Sequence, residues 1–541
     1  VQPDGAKCVS VSSQGFVFGA IRAEPVRLNA CPQGNGFIRK RGTSPAGTVT
    51  LGAVSLPFST GSTSGTLDLS KASVDWSTNG GLAMTVLSDH LDLPLVIGSR
   101  TLTISGATPR MGVATGRGAP KLSARLGATV FDGTLVPANV SAESFAFDGS
   151  SGQGGLSGNL NANGVLIQDY RSDPIYQPLI SDMTATLANG QLVMTGPLRL
   201  KADGTTVADT TINLDVVKLN GTAAIRSRPL TFRPGGLQPV MLSEKLRGVF
   251  TLAAGDASAK ADVDIVSGKL SGTGDVTIEK FGFQTTRLGR IEDVNGKVRF
   301  SDLLELTTDR GQVVTVGSLS IGVPLTDGRI QFHLDKGKVL GVEKAGFPFA
   351  GGRIAISPLQ WTLGGKDQRV EVTADAIELS QLVAVLKLPD VQATGTVSGT
   401  FPVDFVGSEV QVRDALLAAD AKGGRIAYTG DAVNSAADND PNAKLAFDAL
   451  KDLQFSVLEI GLSGDLMNRT VASVHLIGRN TQPLAFGKKL TMPKGQAFEF
   501  NLSLDSDLTE LVKSGSYAAQ QDKFVKMVVD MANDKDNRTD E

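Results

Sequence analysis

The chain is short of the side chains around which most enzymes of its length are built. Its 541 residues hold 3 histidines, 2 cysteines and 2 tryptophans, and aromatic rings make up only 5% of them. His90, His333 and His475 lie far apart, and His333 falls on the polar phase of its segment between Phe332 and Leu334, so neither a histidine metal cluster nor a catalytic histidine is indicated. Cys8 and Cys31 have no CxxC spacing and no histidine nearby, which speaks against redox or metal chemistry. Two readings of them stay open: a disulfide worth roughly 3 kcal/mol in the chain-entropy estimate, or two unpaired small side chains. No run of eighteen apolar residues occurs; Leu93–Gly98 and Leu382–Leu388 are too short to span a bilayer. With 52 Lys+Arg against 55 Asp+Glu there is no surplus of positive charge for a broad nucleic-acid-binding face. The glycines of Met111–Lys121 lack the spacing of a phosphate-binding loop, and no two acids are paired in an apolar setting. The chain opens on Val1, as expected of a fragment or a processed chain.

What is present is alternation. In Phe498-Glu-Phe-Asn-Leu-Ser-Leu504 every second residue is apolar, and Asp275–Glu279, Arg329–Asp335 and Val370–Thr373 repeat the pattern. Successive strand side chains point to opposite faces, so each segment reads as a strand with one apolar and one wet face. Asp132-Gly133, Asp148-Gly149, Asn163-Gly164, Asn189-Gly190, Asp203-Gly204, Asn220-Gly221, Asn295-Gly296 and Asp327-Gly328 read as hairpin turns, because these dipeptides tolerate positive φ. The expected fold is mainly β and largely antiparallel. Helical spacing is confined to Leu379/Leu382/Val383/Leu386, to Ala446/Leu450/Leu453, to Leu504/Leu508/Leu511/Val512 with Ser506 or Asp507 as cap, and to Phe524/Met527/Val528/Met531. The charged end beyond Met531 reads as disordered. GGRIA occurs twice, at Gly351–Ala355 and Gly423–Ala427; paired glycines before resumed alternation mark strand entrances where chains approach closely.

Taken in order, Pro229–Leu242, Thr308–Leu334, Phe349–Trp361, Leu386–Val403, Lys422–Gly430, Ala446–Leu466 and Val474–Pro483 resemble the YdbH family of AsmA-like intermembrane phospholipid transport proteins, over roughly Pro229 to Ser514. The resemblance implies a long, twisted sheet curled into an elongated apolar groove with a few short flanking helices, bridging the inner and outer membranes of the bacterial envelope and passing phospholipid acyl chains. It also implies an inner-membrane anchor helix absent from this chain, and a small outer-membrane lipoprotein partner pairing by strand addition at the C-terminal end. Residues 1–228 then form an N-terminal β-rich part of the groove, 229–515 the family-like region, and 516–541 an amphipathic helix with a charged tail.

On that reading Val276, Ile278, Ile330, Phe332, Leu334, Ile354, Ile356, Val370, Val372, Phe498, Phe500 and Leu502 are the candidate groove lining. The same residues would also suit a closed core. Phospholipid is the transported ligand; no cofactor, metal or catalytic residue is expected. The competing architecture is a surface β-solenoid with a filled interior and no ligand, against which the irregular spacing, hairpin dipeptides and short helices argue.

Overall fold

The computed structural model describes residues 8–506 except 34–35, 43, 153–154, 286–287, 322, 364, 366, 389, 408, 431–440, 467–468 and 487–489; for 41, 441–443 and 504–506 it describes the backbone alone. Strands account for 69% of the chain against 4% in helices, so hydrogen bonds between strands are what hold it together. Nearly all the strands join one long antiparallel sheet that is not closed into a barrel. The stacked parallel coils of a solenoid do not fit these pairings. The chain divides into two units, Val1–Arg247 with Ala257–Val276 and Ser301–Leu304, and Gly248–Asp256 with Thr277–Phe300 and Glu305–Glu541.

In the first unit the sheet has two walls, and the chain serves them by turns. One wall runs through Val26–Pro32, Ser44–Leu51, Ala72–Ser77, Ala83–Ser88, Arg110–Ala114, Lys121–Leu126 and Ser144–Gly152. The other runs through Phe16–Phe18, Ile21–Ala23, Val54–Thr60, Thr63–Leu69, His90–Ile97, Arg100–Ala107, Thr129–Asp132 and Asn139–Ala142. The strand Gly155–Gln168 belongs to both, pairing with Asn139–Ala142 at one end and Ser144–Gly152 at the other.

Between walls the chain turns through corners of one or two residues: Gly52-Ala53, Ser70-Lys71, Asp89, Thr108-Pro109, Gly127-Ala128 and Glu143. Backbone bonds such as Ser70 N to His90 O, Thr108 N to Asp89 O and Ala107 N to Ala128 O stitch successive corners together. The buried cluster of this unit (Val54, Leu69, Ala72, Leu91 and Leu126) follows the crease. Cys8 and Cys31 are joined in a disulfide that ties the strand Val9–Ser13 to Val26–Pro32.

The second unit continues with long bulged strands, from Gln312–Ile321 and Val323–Asp335 to Thr470–Asn480 and Ala497–Ser506. Among the described residues two helices accompany them, α1 (Leu379–Val385) and α2 (Pro441–Leu450), both where the apolar spacing indicates. Leu453, aligned with α2 in the sequence pattern, instead opens the strand Leu453–Asp465. The helix expected from Leu504 does not begin there: the strand Ala497–Ser506 runs through it, pairing Leu504 with Ala472, because the period-two pattern carries on to that point. Leu508, Leu511, Val512, the segment Phe524–Met531 and the charged end lie outside the described residues, as does the cap candidate Asp507.

Among the dipeptides, Asn189-Gly190 makes the expected hairpin, with φ of 52° and 77°. Asp148-Gly149, Asn295-Gly296 and Asp327-Gly328 instead lie inside strands, and Asn163-Gly164 sits at a register shift between Ala162 and Val165. Steric need explains two of them: a Cβ on Gly149 would fall 2.5 Å from the Phe147 ring, and one on Gly328 2.1 Å from the Phe347 ring. In both GGRIA copies the first glycine takes positive φ (Gly351 76°, Gly423 64°) and the second enters the strand. Gly352 passes so close to Asp375 O, and Gly424 to Thr394 O, that a Cβ would come within 2.3 and 2.0 Å.

Candidate functional site: one apolar face

Partners directly opposite in an antiparallel pair point to the same face, so the register traces each face from strand to strand. In the first unit Val49, Val74, Val86, Met111, Ala124 and Phe147 are successive partners. The row continues through Leu160, Ala185, Met194, Ile212 and Ala223 to Val263 without a polar residue. A second row on the other wall links Leu93, Ile104, Phe131, Val140, Ile167, Leu179 and Leu200. One residue along, the row on the opposite face reads Thr48, Asp75, Thr85, Gly112, Ser123, Asp148, Asn159, Thr186, Val193, Asn213, Thr222 and Asp264. One face is apolar and the other wet.

In the first row Val74 and Ala185 are buried while the other members are half-buried. A filled core would take most of such side chains fully out of solvent. The buried cluster of Val54, Leu69, Ala72, Leu91 and Leu126 lies beside the corners.

The second unit repeats the arrangement. Val314, Ile330, Ala345, Ile356, Val372 and Phe401 form one row, and Leu417, Ile460, Val474 and Leu502 another. All twelve residues singled out from the sequence lie in strands. Val276, Ile278, Ile330, Phe332 and Leu334 are half-buried. Val370 is buried in a cluster against which Ile356 and Val372 pack. Phe500 is buried in a larger cluster that includes α1 and α2 residues, and Ile354, Phe498 and Leu502 pack against it. The candidates thus fall into two settings, half-buried and packed. The sequence reading missed the first-unit rows. Their signal is weak because small side chains such as Ala124, Ala185 and Ala223 fill many rungs, although Phe145-Ala-Phe147 shows the alternation.

The wet face is electrically quiet. Cross-strand pairs neutralise several of its arginines: Arg125–Asp148 at 2.6 Å, Arg199–Asp182 at 2.8 Å, Arg228–Asp209 at 3.1 Å and Arg369–Asp404 at 2.6 Å. The hydrogen bond from Arg369 holds the Asp404 carboxyl below the usual carboxylate range, and that from Arg228 does the same for Asp209.

The three histidines are not brought together. His90 stands 3.4 Å from Asp92. His333 is on the polar face as expected, but engaged rather than solvated: its Nδ1 is 2.9 Å from Glu343, which a bulge at Gln331/Phe332 turns to that side. Burial pushes the Glu343 carboxyl up, but hydrogen bonds from Gln331, His333 and the Gly311 amide outweigh it and leave the group below its ordinary value. His475 bridges Glu459 at 3.2 Å and Glu499 at 3.1 Å. Among the described residues no cluster suited to a metal occurs, and no helix is long and apolar enough to cross a membrane.

These features define a class: a long, open antiparallel sheet that keeps one face apolar from strand to strand. The comparison with known families makes it specific. Residues 18–520 match the YdbH-like family, described as intermembrane phospholipid transport protein YdbH, and the chain belongs to that family. The match takes in the first unit as well as the region whose segments carry the resemblance. No curated protein and no solved structure matches the chain.

Proposed function

We propose that the apolar face is a conduit along which phospholipid acyl chains pass between the inner and outer membranes of a bacterial envelope. The observation that carries this reading is the unbroken, mostly half-buried row from Val49 to Val263, backed by a mainly polar row on the opposite side of the same strands. Each methylene laid against such a row leaves water with a gain of about 0.8 kcal/mol. Rungs recur about every 4.8 Å, so the gain hardly changes with position and a lipid slides over low barriers. Headgroups stay in water at the rims. No cofactor or nucleotide enters; direction and energy come from outside the chain.

Beside the first-unit rows, we assign Val276, Ile278, Ile330, Phe332 and Leu334 to the open lining. The other seven candidates extend the same apolar face where it is packed. Family membership supports an envelope location, and a small outer-membrane lipoprotein adding a strand to Ala497–Ser506 is the expected partner. The test is photo-crosslinking in cells from a benzoylphenylalanine at Ile212 or Phe332, with mass spectrometry of organic extracts of the purified protein. Phospholipid adducts and copurified phospholipid are the expected result; protein-only crosslinks and a lipid-free extract overturn the reading.

A further inference from the structure

Side chains of the second unit's apolar face change character along the chain. Phe332, Leu334, Leu340 and Val342, cross-strand neighbours on the strands Val323–Asp335 and Val339–Phe349, are all half-buried. Later on the same face burial becomes nearly complete, with Leu476 at 1% exposure and its partner Leu458 at 4%. Here helices lie on the sheet. Phe447 and Ala449 of α2 are 0% exposed and Leu450 is 3% exposed. They share one cluster with Leu458, Leu476 and Phe500 from the strands, and Leu382 and Val383 of α1 pack against it. The Phe447 ring stands 6.4 Å from that of Tyr428.

Any acyl chain on this stretch would have to occupy the volume that Phe447 and Leu450 fill. α2 covers the apolar rungs with protein side chains just as cargo would cover them elsewhere. The loss of packing on removing it resembles that of emptying a core, so a passing lipid does not displace it cheaply.

Building on the conduit reading, we infer that α2, with Phe447 at its centre, is an end-stop: phospholipid reaches Phe332 but does not advance onto the face that carries Phe498 and Phe500. The stop bounds the lipid-binding stretch of the second unit, so lipid must leave that face sideways over a rim before it meets the helix.

The experiment places benzoylphenylalanine at Phe332 and, separately, at Phe498. Both are half-buried phenylalanines, so the probe suits both sites alike. In cells the end-stop gives phospholipid adducts at Phe332 and at least tenfold fewer at Phe498. Equal adducts at both sites overturn the end-stop and leave the conduit standing. Adducts at neither site, nor at Ile212, overturn the conduit itself and the end-stop with it. In a Phe447→Ala background, or Leu450→Ala should the first variant lose its protease resistance, adducts at Phe498 should rise at least tenfold; an unchanged ratio also overturns the stop.

Discussion

The ring of Phe347 occupies the space a side chain on Gly328 would need. A Cβ there would fall 2.1 Å from Cε1 of the ring, which is itself only 1% exposed. Gly328 and Phe347 sit on neighbouring strands, and the glycine is a seat for the ring rather than a turn. Gly328→Ala should therefore destabilise by about 1–3 kcal/mol, the usual cost of overpacking a filled site. A lowered urea midpoint with unchanged slope is the expected reading. An unaltered midpoint would mean the ring moves aside freely.

Phe332→Asp and Val412→Asp separate open lining from closed core. Phe332 is half-buried whereas Val412 is 1% exposed. A carboxylate at Phe332 still reaches water, so the protein should fold with modest loss while copurified phospholipid falls sharply. At Val412 an unpaired buried charge costs several kcal/mol, and the second unit should lose its cooperative melt. Equal unfolding by both variants would place Phe332 in a core.

The bridge from His475 to Glu459 and Glu499 predicts a pH dependence. Hydrogen bonds to the two carboxylates hold the histidine pKa above its ordinary 6.5. A group raised on folding contributes its full stabilisation below the unfolded value and loses it as pH rises through the folded one. Amide protection in Leu453–Asp465, Thr470–Asn480 and Ala497–Ser506, corrected for intrinsic exchange, should fall as pH rises through a midpoint above 6.5. His475→Gln should flatten that profile; a profile indifferent to the substitution would assign it to another group.

Breaking the disulfide should act locally. Cys8–Cys31 closes a separation of 23 residues, for which loop entropy suggests roughly 3 kcal/mol. Val9–Ser13 pairs with Val26–Pro32, so Cys31→Ser should raise exchange across that pair and leave Leu179–Ala188 unchanged. Exchange that rises everywhere would make the bridge a global staple.

Much of this was legible in residue order and some was not. Period-two alternation at Arg329–Asp335 and Phe498–Leu504 identifies strands because one face of each is dry. The helices α1 and α2 announce themselves because their apolar residues recur every three or four positions over a whole turn or more. The crease is silent: Asp89, Thr108-Pro109 and Glu143 all turn the chain between walls yet share no chemistry. Asn-Gly and Asp-Gly mislead because the lack of a Cβ serves two ends, positive φ at Gly190 and room for a ring at Gly328. Which apolar rungs are roofed by α2 depends on contacts between Phe447 and strands such as Thr470–Asn480, which no local pattern records.

The alternating service of two walls has a consequence for how such a molecule grows. One round of the chain, a hairpin on each side joined by a corner, adds two strands to each wall, about 10 Å of reach. Each change of wall takes a corner of only one or two residues. Duplicating or deleting a round would change the length of the apolar face while leaving the pattern of its rungs as it is.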